Sequence, residues 1–367
     1  MRITFLVGSL RSGGAERTVS YLASFLAKRE WDVTVLSISD QIFYTLDPKV
    51  RLVTLSVPTE AKNKVGRLWN AARRVIRVRR YLKKHGGDVL FCMLPETAKY
   101  VGGLPRRMGM PLITSERNNP AFEAEEVQAY KEKLFKTCDG IVFQTQRAKE
   151  FYRGVIGEKG EVIHNAVGNE SVYSAPEVSL RLPKITAIGR VAKQKDYPTL
   201  LRAFQKVKTA HPEFTLEIFG SDTGAYADGV KAMAAELGLG DSVKFMGVAK
   251  DAVLQAADST CFVMSSLHEG MPNALMEAMA VGLPCVSTDC PNGPGELIEQ
   301  GRNGLLTPVG DEDALAAAIC RVIEDGAFAA TLGENAREIL KTHAVEQKAA
   351  EYEAYILRVV WERERHE

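Results

Sequence analysis

The sequence predicts an α/β protein built as two facing, doubly wound parallel-sheet domains. Three observations carry that expectation. Short apolar runs alternate with amphipathic stretches almost from end to end, the βαβα rhythm that places helices on both faces of a parallel sheet. The rhythm pauses once, over the polar and proline-containing segment VGNESVYSAPEVSLRLP (167–183), and then restarts. The chain has 367 residues; at about 150 residues per domain that is enough for two cores.

The elements follow in order. RITFLVG opens the chain as a strand, Ala15–Lys28 reads as a helix and DVTVLSIS as the next strand. DVLFCML, PLITSE and GIVFQT continue the first set of strands. After the pause, KITAIGR is a strand, YPTLLRAFQKVKTAH a helix, and FTLEIFG, VKFMG, TCFVMSS and PCVSTD are further strands, with LLTPVG a last short one. Helices fill Asp313–Glu324 and most of the chain from Phe328 onward. Residues 1–170 and 184–345 are thus the two domains, 171–183 the linker and 346–367 a final helix. In such sheets ligands bind at the carboxyl ends of the strands, so a cleft between two such ends is the expected site.

Composition excludes several classes. The net charge of +1 gives no reason to expect a nucleic acid partner. No run of eighteen apolar residues predicts a spanning helix, and the amino terminus reads as a first strand rather than a signal peptide. The six cysteines form no C-x-x-C pair and several lie in apolar runs, which points to reduced, buried thiols in the cytosol. No His or Cys pair has metal-ligand spacing, and the G-x-S-x-G elbow of a serine hydrolase is absent.

HEGMPNALMEAM (268–279) carries Glu269 and Glu277. On a regular helix eight residues turn about 800°, roughly 80° out of alignment, and rise about 12 Å, so the two carboxylates do not share one ligand atom. Pro272 favours a helix start and disfavours helix just before it. Glu269 is therefore expected in a loop at the mouth of the cleft, with Glu277 one to two turns inside the helix. The helix start between them offers N–H groups and a positive dipole end, which suits a phosphorylated sugar. The competing reading is a surface glutamate followed by an ordinary helical one. GRVAKQKD (189–196) follows the first strand of the second domain; Arg190 and Lys195 could straddle a diphosphate, with Lys193 able to replace Lys195, against the alternative of a solvated basic loop. GSLRSGGAER (8–17) joins the first strand to its helix, and Gly13 and Gly14 allow backbone to approach a ligand. It matches neither a dinucleotide fingerprint nor a P-loop, which leaves Asp40 at the end of the second strand a ribose-binding candidate without its fingerprint.

The stretch Ala61–Gly87 holds many Lys and Arg and no acid, with Val65, Leu68, Trp69, Ala72, Val75, Ile76 and Leu82 at helical spacing. A basic amphipathic helix is expected at a membrane surface or an anionic ligand, through Arg67, Arg73, Arg74, Arg77, Arg80 and Lys84. A packed helix with a solvated basic face is the alternative. The acids Asp311–Asp313 formally match a metal-binding D-x-D, but they sit at a helix start, where capping is the preferred reading. His164 and His268 lie near the expected cleft as packing or hydrogen-bonding residues.

Taken together these segments resemble the family 4 retaining glycosyltransferases along almost the whole chain. SGGAER, GRVAKQKD, HEGMPNALMEAMAVGLP, and NGPGELI with GRNGLL occur in that family's order, and the third carries its E-x7-E signature. The resemblance implies GT-B architecture, two facing Rossmann-like domains, with the first on the acceptor side, the second binding the donor, and the final helix able to pack back on the first. It implies that Arg190 and Lys195 neutralise the leaving diphosphate, that Glu269 faces the donor sugar, and that Glu277 holds the ribose. Gly13 and Gly14 would close on the donor, and the backbone around Met271, Pro272 and Asn273 would meet phosphate or sugar. Donors in the family are nucleotide-sugars, mostly UDP- or GDP-linked, and the anomeric configuration is kept without an essential metal or other cofactor. Two positions depart from the pattern. SERNNP (115–120) stands where many relatives carry a sugar-contacting His, leaving Glu116, Arg117 or Asn119 for that place, and Asp196 replaces a common glycine. SERNNP with the basic helix is similar to members that extend lipid-linked or surface polysaccharide glycans, often with N-acetylhexosamines.

The expectation is a transferase using a nucleotide-sugar donor, UDP-linked, on a glycan or polyprenyl-linked acceptor, cytoplasmic and peripheral on the inner face of the membrane. A UDP-sugar epimerase of the same two-domain fold is the main alternative. A nicotinamide-dependent reductase lacks its fingerprint, and a non-catalytic sugar-binding protein would not need Glu269, Arg190 and Lys195.

Overall fold

The computed structural model describes every residue except Ser12, 59–62, Pro176, Glu177, Ser179 and 366–367. Ser12 of SGGAER, the start of the basic stretch at Ala61, parts of the expected linker and the last two residues of the final helix thus lie outside the described residues. The chain forms two compact units, Met1–Gly168 with Val345–Glu367, and Asn169–Ala344.

The first unit runs β1 (Arg2–Val7), α1 (Gly14–Lys28), β2 (Asp32–Ser37), β3 (Arg51–Thr54), α2 (Lys64–His85), β4 (Val89–Cys92), α3 (Pro95–Ala98), α4 (Leu104–Arg107), β5 (Leu112–Glu116), α5 (Glu125–Thr137), β6 (Gly140–Phe143), α6 (Gln146–Phe151), α7 (Arg153–Ile156) and β7 (Gly160–Val162). Its seven strands are parallel in the order β3-β2-β1-β4-β5-β6-β7. The apolar run of β1 follows from burial on both faces. Ile3, Phe5 and Val7 point into one core with Val19, Leu22 and Leu26 of α1. Leu6 points into the other, with Val78 and Leu82 of α2 and Leu134 and Phe135 of α5.

The second unit runs β8 (Leu182–Ile188), α8 (Tyr197–Ala210), β9 (Thr215–Phe219), α9 (Ala225–Glu236), β10 (Val243–Gly247), α10 (Ala252–Gln255), β11 (Ser259–Met264), α11 (Asn273–Ala280), β12 (Cys285–Thr288), α12 (Pro294–Leu297), β13 (Leu305–Thr307), α13 (Glu312–Glu324), α14 (Gly326–Ala336) and α15 (Ile339–Thr342). Its sheet is parallel with six strands, β10-β9-β8-β11-β12-β13. The last helix, α16 (Val345–Glu364), belongs to the first unit. There Tyr352, Ile356 and Val359 enter the core beside α1, and the Tyr355 hydroxyl accepts from the Ile141 N–H at 2.6 Å.

Two strands escape the sequence reading, β3 and β7. Both lie at the edges of the seven-stranded sheet. β3 is largely exposed and β7 has three residues, so neither produces a continuous apolar run. In each sheet the strand order reverses next to the first strand, between β1 and β4 and between β8 and β11. Such switch points open a crevice at the carboxyl edge of a sheet. The cysteines are all unpaired, five buried and Cys320 half-buried.

Candidate functional site

The β8–β11 switch point collects the main sequence-predicted residues of the second unit. The chain leaves β8 through Gly189. A Cβ there would lie 2.9 Å from Lys195 Cε, so its absence gives the lysine stem a lane across the backbone. Gly220, with φ of +141°, has no room for a Cβ against the Gly189 carbonyl, and this closeness draws the ends of β8 and β9 together. Lys193–Lys195 form a short 3-10 turn, and Asp196 follows in the left-handed region at φ 47°. That conformation explains why the position suits glycine and tolerates aspartate. Arg190 stands exposed on the same loop.

The loop after β11 is stitched to the loop after β8. The Ser265 hydroxyl donates to the Lys195 carbonyl at 2.8 Å, the Leu267 N–H to the Gln194 carbonyl at 2.8 Å, and the Gln194 amide to the His268 carbonyl at 2.9 Å. Glu269 is thereby held with only 7 % of its surface exposed. Its Oε1 accepts from Lys195 Nζ and from Ser266 Oγ, each at 2.6 Å. Thr288 Oγ1 at the end of β12 donates to the Ser266 carbonyl at 2.7 Å, fixing the residue that fixes Glu269. From the next loop Gly293, with φ of +83°, packs where a Cβ would overlap the Gly270 carbonyl. The glycine of NGPGELI therefore seats one loop on another. Burial lowers the His268 pKa below its usual value; the Lys195 charge acts in the same direction and Glu269 opposes both.

Pro272 caps α11, which begins at Asn273; the first helical bond runs from the Met276 N–H to the Pro272 carbonyl at 3.1 Å. No capping side chain and no acid of the first turn offsets the positive end of this helix. Glu277 lies half-buried one turn inside, Asn273 is half-buried, and Met271 and Pro272 are buried. The second unit thus combines two basic residues on one loop, a carboxylate bonded to one of them, and an uncompensated helix start on the neighbouring strand's loop. That set can hold an anion and a polyhydroxyl group side by side.

The first unit places its candidates along its own carboxyl edge. Gly13 caps α1, and the Tyr44 hydroxyl bonds both its N–H, at 3.3 Å, and its carbonyl, at 3.1 Å. Gly14 begins the helix. Gly8, Ala15, Glu16, Met93, Leu94 and Thr97 line a small pocket at the β1–β4 switch point. Glu116, at the end of β5, is buried; its Oε1 accepts the Arg117 and Asn118 N–H groups, each at 3.0 Å, and Lys131 Nζ of α5 lies 2.6 Å from its Oε2. Lys131 also holds Glu123 at 2.6 Å. Arg117 is buried, donating to Thr18 at 2.8 Å and Asn165 at 2.6 Å, and Asn119 caps the next turn. These three side chains are engaged within the protein rather than presented to solvent.

On α2 the structure reorders the expected stripe. Val78 and Leu82 are buried, while Val65, Leu68, Trp69 and Ile76 are exposed by 78 %, 75 %, 65 % and 63 %. Arg67, Arg80, Lys83 and Lys84 are also exposed, and Arg73 is half-buried. Arg74 and Arg77 instead donate to the Pro58 and Leu55 carbonyls, tying the helix to the segment after β3. Asp311 caps α13 by accepting from the Asp313 and Ala314 N–H groups, and Lys206 lies 2.5 Å from Asp313, so these acids serve a helix start. Sequence reasoning missed Ser266, Gln194, Thr288 and Tyr44. For Ser266 the local signal was the hydroxyl pair Ser265–Ser266, separated from HEG by Leu267.

A family model described as Glycosyltransferase Family 4 matches residues 12–170, and one described as Glycosyl transferases group 1 matches 176–339. An exopolysaccharide phosphotransferase of Streptomyces coelicolor is 28% identical over 92% of this chain, which spans 38% of that relative's length. The N-acetylgalactosamine-N,N'-diacetylbacillosaminyl-diphospho-undecaprenol 4-alpha-N-acetylgalactosaminyltransferase of Campylobacter jejuni is 24% identical over 88% of this chain and 90% of its own. Among solved structures, Anabaena HepE in complex with UDP and glucose superposes with a TM-score of 0.77 at 21% identity, covering 96% of this chain and 99% of that one. With one family model on each sheet unit and the same fold in a solved relative, the chain belongs to the GT-B glycosyltransferases, with a family 4 amino-terminal half and a group 1 carboxyl-terminal half.

Proposed function

We propose that the protein is a retaining glycosyltransferase that moves a sugar from a nucleotide-sugar, UDP-linked, to a lipid-linked or surface glycan at a membrane face. The observation that carries this reading is the cluster of Lys195, Glu269 and the α11 start at the β8–β11 switch point. Breaking a glycosyl–phosphate bond leaves the electron pair on the diphosphate and positive character on the sugar carbon. Arg190, Lys195 and the helix start stabilise the first without a metal, and Glu269 and Glu277 receive sugar and ribose hydroxyls. The acceptor oxygen bonds to that carbon from the leaving-group side, and its proton passes to a phosphate oxygen.

Relatives support the substrate classes: HepE was solved with UDP and glucose, and the Campylobacter enzyme is named for a diphospho-undecaprenol acceptor and an N-acetylhexosamine. The exposed apolar and basic residues of α2 support attachment to an anionic membrane. No helix among the described residues is long and apolar enough to cross a membrane.

Incubation with a panel of UDP- and GDP-sugars and a polyprenyl-diphosphate glycan, following nucleotide release and the anomeric configuration of the product, tests the reading. Transfer from a UDP-sugar that persists in chelator and vanishes in Glu269→Ala, with an unchanged melting profile, is the expected result. Full activity in Glu269→Ala removes the role given to that carboxylate.

A further inference from the structure

We infer that Lys195 is exchanged between two partners, the Glu269 carboxylate and the donor diphosphate, so that nucleotide binding opens an acceptor direction on the carboxylate that receives the sugar. The inference rests on the roles proposed above for these two residues and adds a coupling between them.

Glu269 Oε1 accepts two hydrogen bonds from the protein itself. Lys195 Nζ and Ser266 Oγ both donate to it at 2.6 Å, on a side chain that is almost wholly buried. A sugar hydroxyl arriving at that oxygen meets an occupied acceptor. An ionised carboxylate has about four lone-pair sites; both on Oε1 are taken, while Oε2 receives Gln194 at 3.4 Å. Of the two donors present, one is fixed and one can move. Ser266 is fully buried, and its carbonyl is gripped by Thr288. Lys195 has a flexible four-carbon stem that crosses Gly189, where the missing Cβ leaves it room to swing, and its side chain retains 19% exposure. The lysine is a point charge that changes partner without geometric penalty, unlike a bidentate arginine. A diphosphate at the α11 start offers it a greater negative charge. When Lys195 turns to that charge, Ser266 still holds Oε1 and Gln194 still holds Oε2, and Oε1 regains one acceptor direction.

The exchange has a consequence opposite to that of a simple binding residue. Glu269 competes with the nucleotide for Lys195. Removing the carboxylate charge therefore strengthens nucleotide binding while removing transfer. By thermodynamic reciprocity, nucleotide strengthens sugar binding by the same factor as sugar strengthens nucleotide.

The test is a double-mutant cycle on the full chain, with UDP as the probe and calorimetric dissociation constants as the readout. Glu269→Gln is expected to tighten UDP by at least about fivefold, the lower end for coupled sites. In a Lys195→Ala background, where UDP binding is weaker, the same substitution is expected to change nothing, because the contested cation is gone. Tightening of equal size in both backgrounds means that a general field effect acts and the exchange is wrong. Weakening by Lys195→Ala with no effect of Glu269→Gln in the native background also overturns the exchange, while leaving the proposed role of Lys195 intact. No effect of Lys195→Ala on UDP overturns that role and the exchange together.

Discussion

Lys195 and Glu269 are 74 residues apart in the chain and form a 2.6 Å ion pair across adjacent strand ends of the second unit. The pair exists because β8 and β11 are neighbours in the sheet, and because Ser265, Leu267 and Gln194 sew their following loops together. It is mostly buried on both sides, so solvent screens it less than a surface pair.

Gly293 fixes the height of the loop that carries Glu269. In Gly293→Ala the new methyl collides with the Gly270 carbonyl and the Pro272 ring at a positive φ. Backbone strain of that kind costs about 1–3 kcal/mol. Urea denaturation is expected to show a loss in that range, and kcat/KM for transfer to fall in the same variant. A variant as stable and active as the parent would show that the loop contact is not maintained in solution.

His268 reports on the charge cluster. Burial sets its pKa below 6.5, Lys195 adds to the depression and Glu269 counters it. Ring resonances followed by NMR are expected to titrate below 6.5, lower still in Glu269→Gln and higher in Lys195→Ala. The sign for stability follows from linkage. The unfolded state binds more protons through the window below 6.5, so this residue makes stability fall as pH drops through it and contributes no such slope above it. Denaturation of His268→Asn at pH 5.5 and 7.5 is expected to show a shallower acid-side loss than the parent.

Lys131 carries the buried junction behind β5. Its side chain and that of Glu116 are at most 1% exposed. Burial pulls the Lys131 pKa down, but Glu116 and Glu123 outweigh it and leave the pKa raised; burial raises that of Glu116 against the lysine's pull. Lys131→Ala strands a carboxylate in the core, and breaking a buried pair in this way costs about 3–5 kcal/mol. The double variant Glu116→Gln with Lys131→Met is expected to recover part of that loss in denaturant titrations. Equal stability of Lys131→Ala and the parent would mean the junction is hydrated.

The outer side of α2 separates into an apolar stretch, Val65, Leu68, Trp69 and Ile76, and a basic one containing Arg80, Lys83 and Lys84. Replacing Leu68 and Trp69 by Ser is expected to lower sedimentation with anionic liposomes at every salt concentration. Replacing Arg80, Lys83 and Lys84 by Glu is expected to abolish its salt-sensitive part, at about 1 kcal/mol per charge. Arg74 and Arg77 donate to backbone carbonyls, so their substitution would confound binding with local structure. Unchanged sedimentation in both sets would defeat the membrane assignment.

The two-sheet architecture is legible in the order of residues, because parallel strands buried on both faces must be written as continuous apolar runs; β1, β4, β8 and β11 stand out for that reason. That order also determined the start of α11, since Pro272 excludes helix before it, and the capping use of Asp311. Edge strands β3 and β7 were invisible because β3 is largely exposed and β7 has only three residues, so neither displays such a run. Packing settled that Glu269 is held by Lys195 and Ser266, that Glu116 meets Lys131 and Arg117 meets Thr18 within the first unit, and which apolar residues of α2 face outward. Periodicity reports that a helix has an apolar stripe, but not which side of it a sheet will cover. Spacing along a chain likewise cannot state which strand ends become neighbours, because hydrogen-bonded order in the sheet is set by packing of the whole unit.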